Sequence, residues 1–406
     1  MKAVLMTKDF KLPAAAAPAA QSGRLWSIDV LRGGAVVLMA LDHVRHFWAD
    51  TPFAPTDLDL TTPAWFFTRW ITHFCAPVFV FLAGTSAFLY GRKAGMEKLR
   101  RFLFSRGLWL LFIELAVISP SILFAWPGKA GFLILQVIWA IGWGMIVLGL
   151  LSYLPRRLIL FLSITLVAGH NLLDGVAPQD WGSLSWLWTI LHIGEGWVAV
   201  TESFGLLSVY PLIPWIGVMS LGYCSGAVMA WEPVRRRQFL LVAGLGLVEA
   251  FVLFRFINAY GDPNPWDFQS RGLNYTLMSF LNTTKYPPSL LYLCMTLGPA
   301  LLLLCALEGT QNKAASFFRT FGRVPFFFYT LHFAVINFFA HLWHYFRYGQ
   351  WFNFITTPKA QWPADYEPNL GLMYGVWAVV ILGFYFLCRW YGSFRFGRKE
   401  WWWRYL

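Results

Sequence analysis

The chain has 406 residues, of which 58% are hydrophobic and only 13% charged, with 38 Phe and 23 Trp. A soluble domain spends about a quarter of its residues on charge, so these proportions exclude one large soluble core and point to a polytopic membrane protein. The net charge of +12 is spread over short loops between apolar runs and gives no sign of nucleic-acid binding.

Residues 1–24 hold an Ala/Pro stretch and lack the unbroken apolar core of a signal peptide. They read as a disordered cytoplasmic tail ahead of one integral-membrane domain, residues 25–406. Ten apolar segments then reach the roughly 20 residues that a span needs. They lie near 27–49, 69–91, 104–126, 131–154, 157–173, 207–231, 238–260, 288–308, 323–346 and 370–391, the fifth being short. Residues 183–200, SLSWLWTILHIGEGWVAV, are amphipathic and predict a surface or re-entrant segment. The five cysteines are scattered through apolar runs and read as small buried hydrophobes.

The loops alternate in charge. RKAGMEKLRR (92–101), EPVRRR (232–237) and RFGRKEWWWRYL (395–406) are basic, whereas ADTPFAPTDLDL (49–60) and GDPNPWDF (261–268) are acidic. The positive-inside rule then places both termini in the cytoplasm. The expectation is an all-α transmembrane bundle of about ten helices in a bacterial inner membrane, with the lipid bilayer as its first partner.

The first segment, SIDVLRGGAVVLMALDHVRHFW (27–48), is built for lipid yet carries Asp29, Arg32, Asp42, His43, Arg45 and His46. Ionisable groups at membrane depth are costly and face a bundle interior or a wet cavity. The plain alternative is that these groups mark the two helix ends, although Asp42 and His43 lie several residues short of the far one. Arg32 and His43 are eleven residues apart and share a helix face about 16 Å apart. Arg32 could hold a phosphate near the inner face, and His43, deeper in the bundle, is a natural base near neutral pH.

On the second segment Arg69 and His73 are spaced i,i+4 and read equally as groups that meet His46 in an outer vestibule or as an interfacial Arg with a structural His. Glu114, Glu249 and Arg255 are further intramembrane charges. Glu114 is expected either to pair with Arg32 or Arg106 or to relay protons. His341 and His344, in HLWH, lack the acid of a zinc-protease helix, so no metal is proposed. The outer segment 262–289, with Trp266 and Lys285, is long for a loop and reads equally as the best candidate for an acceptor site or as a surface-packed loop.

The pattern Asp29-x-Leu31-Arg32-Gly33, followed by His43, resembles the first-helix signature of membrane acyltransferase family 3. RLWSIDVLRGGAVVLMALDHVRHF (24–47), THFCAPVFVFLAGTSAFL (72–89), YPLIPWIGVMSLGYCSG (210–226) and FGRVPFFFYTLHFAVI (321–336) are similar to the heparan-α-glucosaminide N-acetyltransferase-like group of bacterial multi-pass membrane proteins. The resemblance implies transfer of an acyl group, acetyl above all, from cytoplasmic acyl-CoA to a carbohydrate or glycan acceptor on the outer side. It implies His43 as general base or transient acyl carrier, with Asp42 the second catalytic candidate. Arg32 and Asp29 would hold the donor. His332, in a late-helix Tyr-x-x-His, would contact CoA or orient His43, the equal alternative being structural hydrogen bonding with Tyr329. His46, Arg69, His73, Trp266 and Lys285 would hold the acceptor. In the sugar N-acetyltransferase proper the reactive His lies on the outer loop after the first helix. Residues 49–68 contain no His, so the role passes to His43 through the Arg-x10-His pattern alone. The alternative class is a proton-coupled transporter or flippase using Glu114, Asp42 or the histidines.

Overall fold

The computed structural model describes residues 25–125, 131–396 and 398. The expected tail 1–24 and the Trp-rich end 401–406 lie outside these residues.

Helix α1 (Trp26–Trp48) is the axis of the molecule and is buried along most of its length. Asp29 in its first turn and Arg45 and His46 in its last complement the helix dipole. Helices α2 (Pro63–Thr72) and α3 (Cys75–Ala94) follow as one span broken at His73 and Phe74. Helix α4 (Met96–Ile113) runs through a π-helical turn, Glu114–Ile118, into the short α5 (Ser119–Leu123). Strand β1 (Phe132–Leu135) leads into α6 (Val137–Leu151), and α7 (Arg156–Gly169) comes next. After α8 (Ser185–Leu191) come β2 (Gly196–Ala199) and β3 (Gly205–Ser208). Helices α9 (Leu212–Ser225), α10 (Pro233–Ile257), α11 (Leu273–Leu281), α12 (Leu290–Ala306), α13 (Lys313–Arg323), α14 (Pro325–Tyr348) and α15 (Leu370–Phe396) complete the chain.

The fold class is the expected helical bundle, and each of the ten expected segments holds a helix. Among the described residues seven helical stretches are long and apolar enough to cross a membrane. α6 and α12 are shorter apolar helices. α1 fails on composition, because its four Asp and Arg residues are the groups that build the site. The protein is therefore a multi-pass integral membrane protein.

Close crossings hold the bundle. A Cβ on Gly33 would collide with the Phe318 carbonyl, and one on Gly322 with the Asp29 carbonyl, so α1 and α13 touch backbone to backbone. Gly84 and Gly222 do the same for α3 and α9. Without a hydrophobic drive between helices in lipid, such small-residue seams supply the van der Waals contact.

A three-stranded sheet, not expected from the sequence, has the order β1-β3-β2, with β1 and β3 parallel and β2 and β3 antiparallel. Phe-Leu-Ile-Leu (132–135) is a short continuous apolar run, which periodicity does not tell from helix. The amphipathic segment 183–200 is α8 plus β2, and it carries exposed Leu184, Trp186 and Trp197.

The same end of the molecule is knit by long loops. Arg255, 1% exposed, donates to the carbonyls of Asn264, Ser279, Phe280 and Asn282 and lies 3.8 Å from Asp262. Asp262 in turn accepts from Thr284 and Ser289. The buried guanidinium thus organises the loop that carries Lys285. Arg271 and Asn282 tie this loop to the carbonyls of Leu58 and Thr56.

Candidate active site

His43 reaches into the bundle from α1, and α14 brings His332 against it. His43 Nδ1 lies 2.6 Å from His332 Nε2. His332 Nδ1 lies 2.7 Å from the Tyr329 carbonyl, which can only accept. His332 therefore carries its proton on Nδ1 and presents Nε2 as an acceptor. His43 must then donate from Nδ1, and its own Nε2 keeps a lone pair. Phe333 packs on the His43 ring with centroids 4.2 Å apart, fixing its plane.

Three spaces line up along α1. A cavity of about 550 Å³ surrounds the Arg32 end and is lined by Arg32, Arg106, Arg323 and Arg395 together with Phe79, Tyr90 and Tyr329. A cavity of about 470 Å³ beyond His43 holds His46, Asp50, Arg69, Glu195, Lys285 and Tyr286. It shares six residues with a polar cavity of about 540 Å³ lined by Asn264, Asn282, Thr283 and Thr284. Between the first two lies a neck of about 30 Å³ at His43. Met39, Phe79 and Val137 belong to the neck and the arginine cavity; Asp42, His43, Gln136, Tyr210 and Lys285 belong to the neck and the outer cavity.

Charges flank the neck in a paired network. Arg69 reaches Asp42 at 2.5 Å, Arg45 reaches Asp42 at 3.3 Å and Asp50 at 2.9 Å, and Arg45 also donates to His46. Breaking such a buried network by removing one partner strands the other charge. Burial alone would push the Asp50 carboxyl up, but the adjoining His46 and Arg45 hold it below the usual carboxylate range.

The expected residues divide accordingly. Arg32 lines the arginine cavity and donates to Ser86 Oγ at 2.9 Å. Asp29 is 2% exposed, outside that cavity, 3.5 Å from Arg32 and 3.9 Å from Arg319. It orients guanidinium groups rather than meeting a donor. His332 is fully buried and lines none of these cavities, so of its two expected roles the geometry favours orienting His43 over touching CoA. Asp42 serves Arg69 and Arg45, not the His43 ring. His46, Arg69 and His73 do converge on one outer cavity. Lys285 lines the neck and both outer cavities, its Nζ 5.0 Å from the Tyr286 ring centroid. Trp266 does not join them. It packs among Phe256, Phe268 and Phe280, which makes it a cap on the outer loop.

Glu114 pairs with neither Arg32 nor Arg106; its Oε1 accepts from the Gln136 backbone N–H at 2.9 Å. Glu249 is exposed on α10 and has left Arg255 to the outer loop. His341 and His344 stack on Phe124 and Phe352. Among the described residues no three His, Cys, Asp or Glu side chains are placed to hold a metal.

Two lining residues escaped the sequence reading. Gln136 marks the strand-to-helix corner. Glu195 sits at φ 56°, in the left-handed region, between Gly194 and Gly196. A Cβ on Gly194 would collide with the Tyr286 backbone, so the loops bearing Glu195 and Lys285 are pressed together. An acid flanked by two glycines was the available signal.

Residues 24–254 match the family described as heparan-alpha-glucosaminide N-acetyltransferase, catalytic. The chain belongs to this family. No curated protein compared with it matches. The family match runs from α1 into α10 and takes in Arg32, His43 and Gln136. It stops before Lys285 and His332, which the fold alone brings to His43. Heparan-alpha-glucosaminide N-acetyltransferases are membrane enzymes whose donor is acetyl-CoA, which fits an arginine-lined cavity at one end of α1.

Proposed function

We propose that this protein takes acetyl from cytoplasmic acetyl-CoA and transfers it, within a single membrane domain, to the amino group of a sugar acceptor on the other side of the membrane. The observation that carries the reading is His43, standing in a neck between two large cavities with Nδ1 2.6 Å from His332 Nε2. The basic loops at the Arg32 end support a cytoplasmic donor side. The wider likeness to membrane acyltransferase family 3 is part of the same proposal and rests on the Arg-x10-His pattern.

Arg32 and its arginine neighbours bind donor phosphates, and the apolar wall behind them takes the pantetheine arm. The thioester then reaches the neck about 16 Å deeper along α1. The outer cavities, rich in Asn and Thr with Tyr286 beside them, hold the sugar. His43 Nε2 accepts the amine proton as nitrogen attacks the thioester carbon. The carbonyl reforms, the C–S bond breaks, and His43 returns the proton to the CoA thiolate. His332 holds the tautomer through both transfers. Lys285 and Glu195 orient the acceptor, while the Asp42–Arg69 pair braces the wall.

Calorimetry of acetyl-CoA on detergent-purified protein tests the donor side. Wild type should bind, and Arg32→Ala should bind about tenfold more weakly, the loss of one charge-assisted contact. No binding to well-folded wild type would sink the reading.

A further inference from the structure

The steps above leave the developing oxyanion without a donor and leave Glu114 without a task. Glu114 opens a π-helical turn and is fully buried. Such turns re-aim side chains and gather at functional sites. Its bond to the Gln136 N–H pins the corner where β1 becomes α6. Gln136 lines both spaces that contain His43, the neck and the outer cavity.

Five residues line both spaces, and the proposed function already uses Asp42, His43 and Lys285. Asp42 only accepts, and Arg45 and Arg69 occupy it. His43 is the base. Tyr210 meets Tyr286 edge-on with ring centroids 5.4 Å apart, and Lys285 Nζ lies 5.0 Å from the same ring centroid. The Gln136 carboxamide has no hydrogen-bond partner among the described residues.

We infer that the Gln136 carboxamide is the oxyanion donor for acyl transfer in this site, and that Glu114 is the positioning residue that holds it there. The inference rests on the acetyltransferase reading. As the acceptor nitrogen bonds to the thioester carbon, the carbonyl electron pair moves onto oxygen, and Gln136 Nε2–H donates to that oxyanion. The pair then falls back, the C–S bond breaks and the thiolate takes the proton held by His43. A fixed neutral dipole suits a charge that exists only in the transition state.

Steady-state transfer from radiolabelled acetyl-CoA to glucosamine-terminated oligosaccharide, with purified full-length protein, tests this. Gln136→Ala should lower kcat about 10²-fold with both KM values unchanged. Glu114→Gln keeps a carbonyl for the Gln136 N–H and should stay near wild type. Glu114→Leu should fall to the Gln136→Ala level, and the double variant should lose nothing more. Should Glu114→Leu not fold, Gln136→Ala and Glu114→Gln still decide. Wild-type kcat in Gln136→Ala, or a loss confined to acceptor KM, overturns the inference alone. Wild-type protein that transfers nothing overturns the proposed function and this inference with it.

Discussion

His43 owes its protonation pattern to a residue 289 positions away. A carbonyl fixes the proton of His332, His332 fixes the proton of His43, and a lone pair remains on His43, which lines the neck. Removing the middle member should cost rate rather than affinity. His332→Phe keeps an aromatic ring among Phe328 and Phe333 but offers no acceptor to His43 Nδ1. The expected outcome is a kcat lower by about 10²-fold with acetyl-CoA affinity unchanged, read by steady-state kinetics beside calorimetry. Equal kcat would show that the contact only packs the core. His43 itself was legible in the sequence because an ionisable group deep in an apolar helix is costly and asks for a reason. The function of His332 was half legible: its helix was plain, but whether its ring faced donor or base depends on a helix crossing.

At the scale of elements, apolar runs of span length announced the helices, and every one of them formed. What they did not announce was how near the helices come. Gly84 and Gly222 let α3 and α9 meet at their backbones, and α3 carries Cys75 and Phe79 into the neck. Gly222→Val would force a branched side chain into the Phe81 carbonyl, and overpacking of this kind costs about 1–3 kcal/mol or more. A Cβ on Gly34, one residue from the α1–α13 seam, would meet nothing within 4 Å, so Gly34→Ala should be tolerated. Detergent-solubilised thermal unfolding should show a lower midpoint for Gly222→Val and an unchanged or higher one for Gly34→Ala. Matching midpoints for the two would mean that the seam does not hold the bundle. The sheet stayed hidden for a different reason. Four-residue apolar strands look like helix fragments, and parallel pairing of β1 with β3 joins residues more than seventy positions apart. Gln136 was missed with it, because its place at the corner exists only once β1 does. Trp266 reads as a sugar platform because it is an aromatic on a long loop, and only the fold shows that it lines none of the cavities around His43 and packs against Phe256, Phe268 and Phe280.

Across the whole molecule, the charge alternation of the loops and the order of the cavities both support the proposed direction of transfer. The basic end holds the arginine cavity, the loop-built end holds the polar cavities, and α1 joins them with His43 between. Neither large cavity was legible in the sequence, since each is walled by elements from several distant stretches of chain. What the sequence did contain was the pair of groups, Arg32 and His43, that the proposed function sets at the two ends of the donor path. The most direct test is acetyl transfer from radiolabelled acetyl-CoA to an amino-sugar acceptor by purified wild type and His43→Ala, with acetyl-CoA binding measured on both. The account predicts that the variant binds the donor as wild type does and transfers at least about 10²-fold more slowly. Transfer at the wild-type rate by His43→Ala would contradict it.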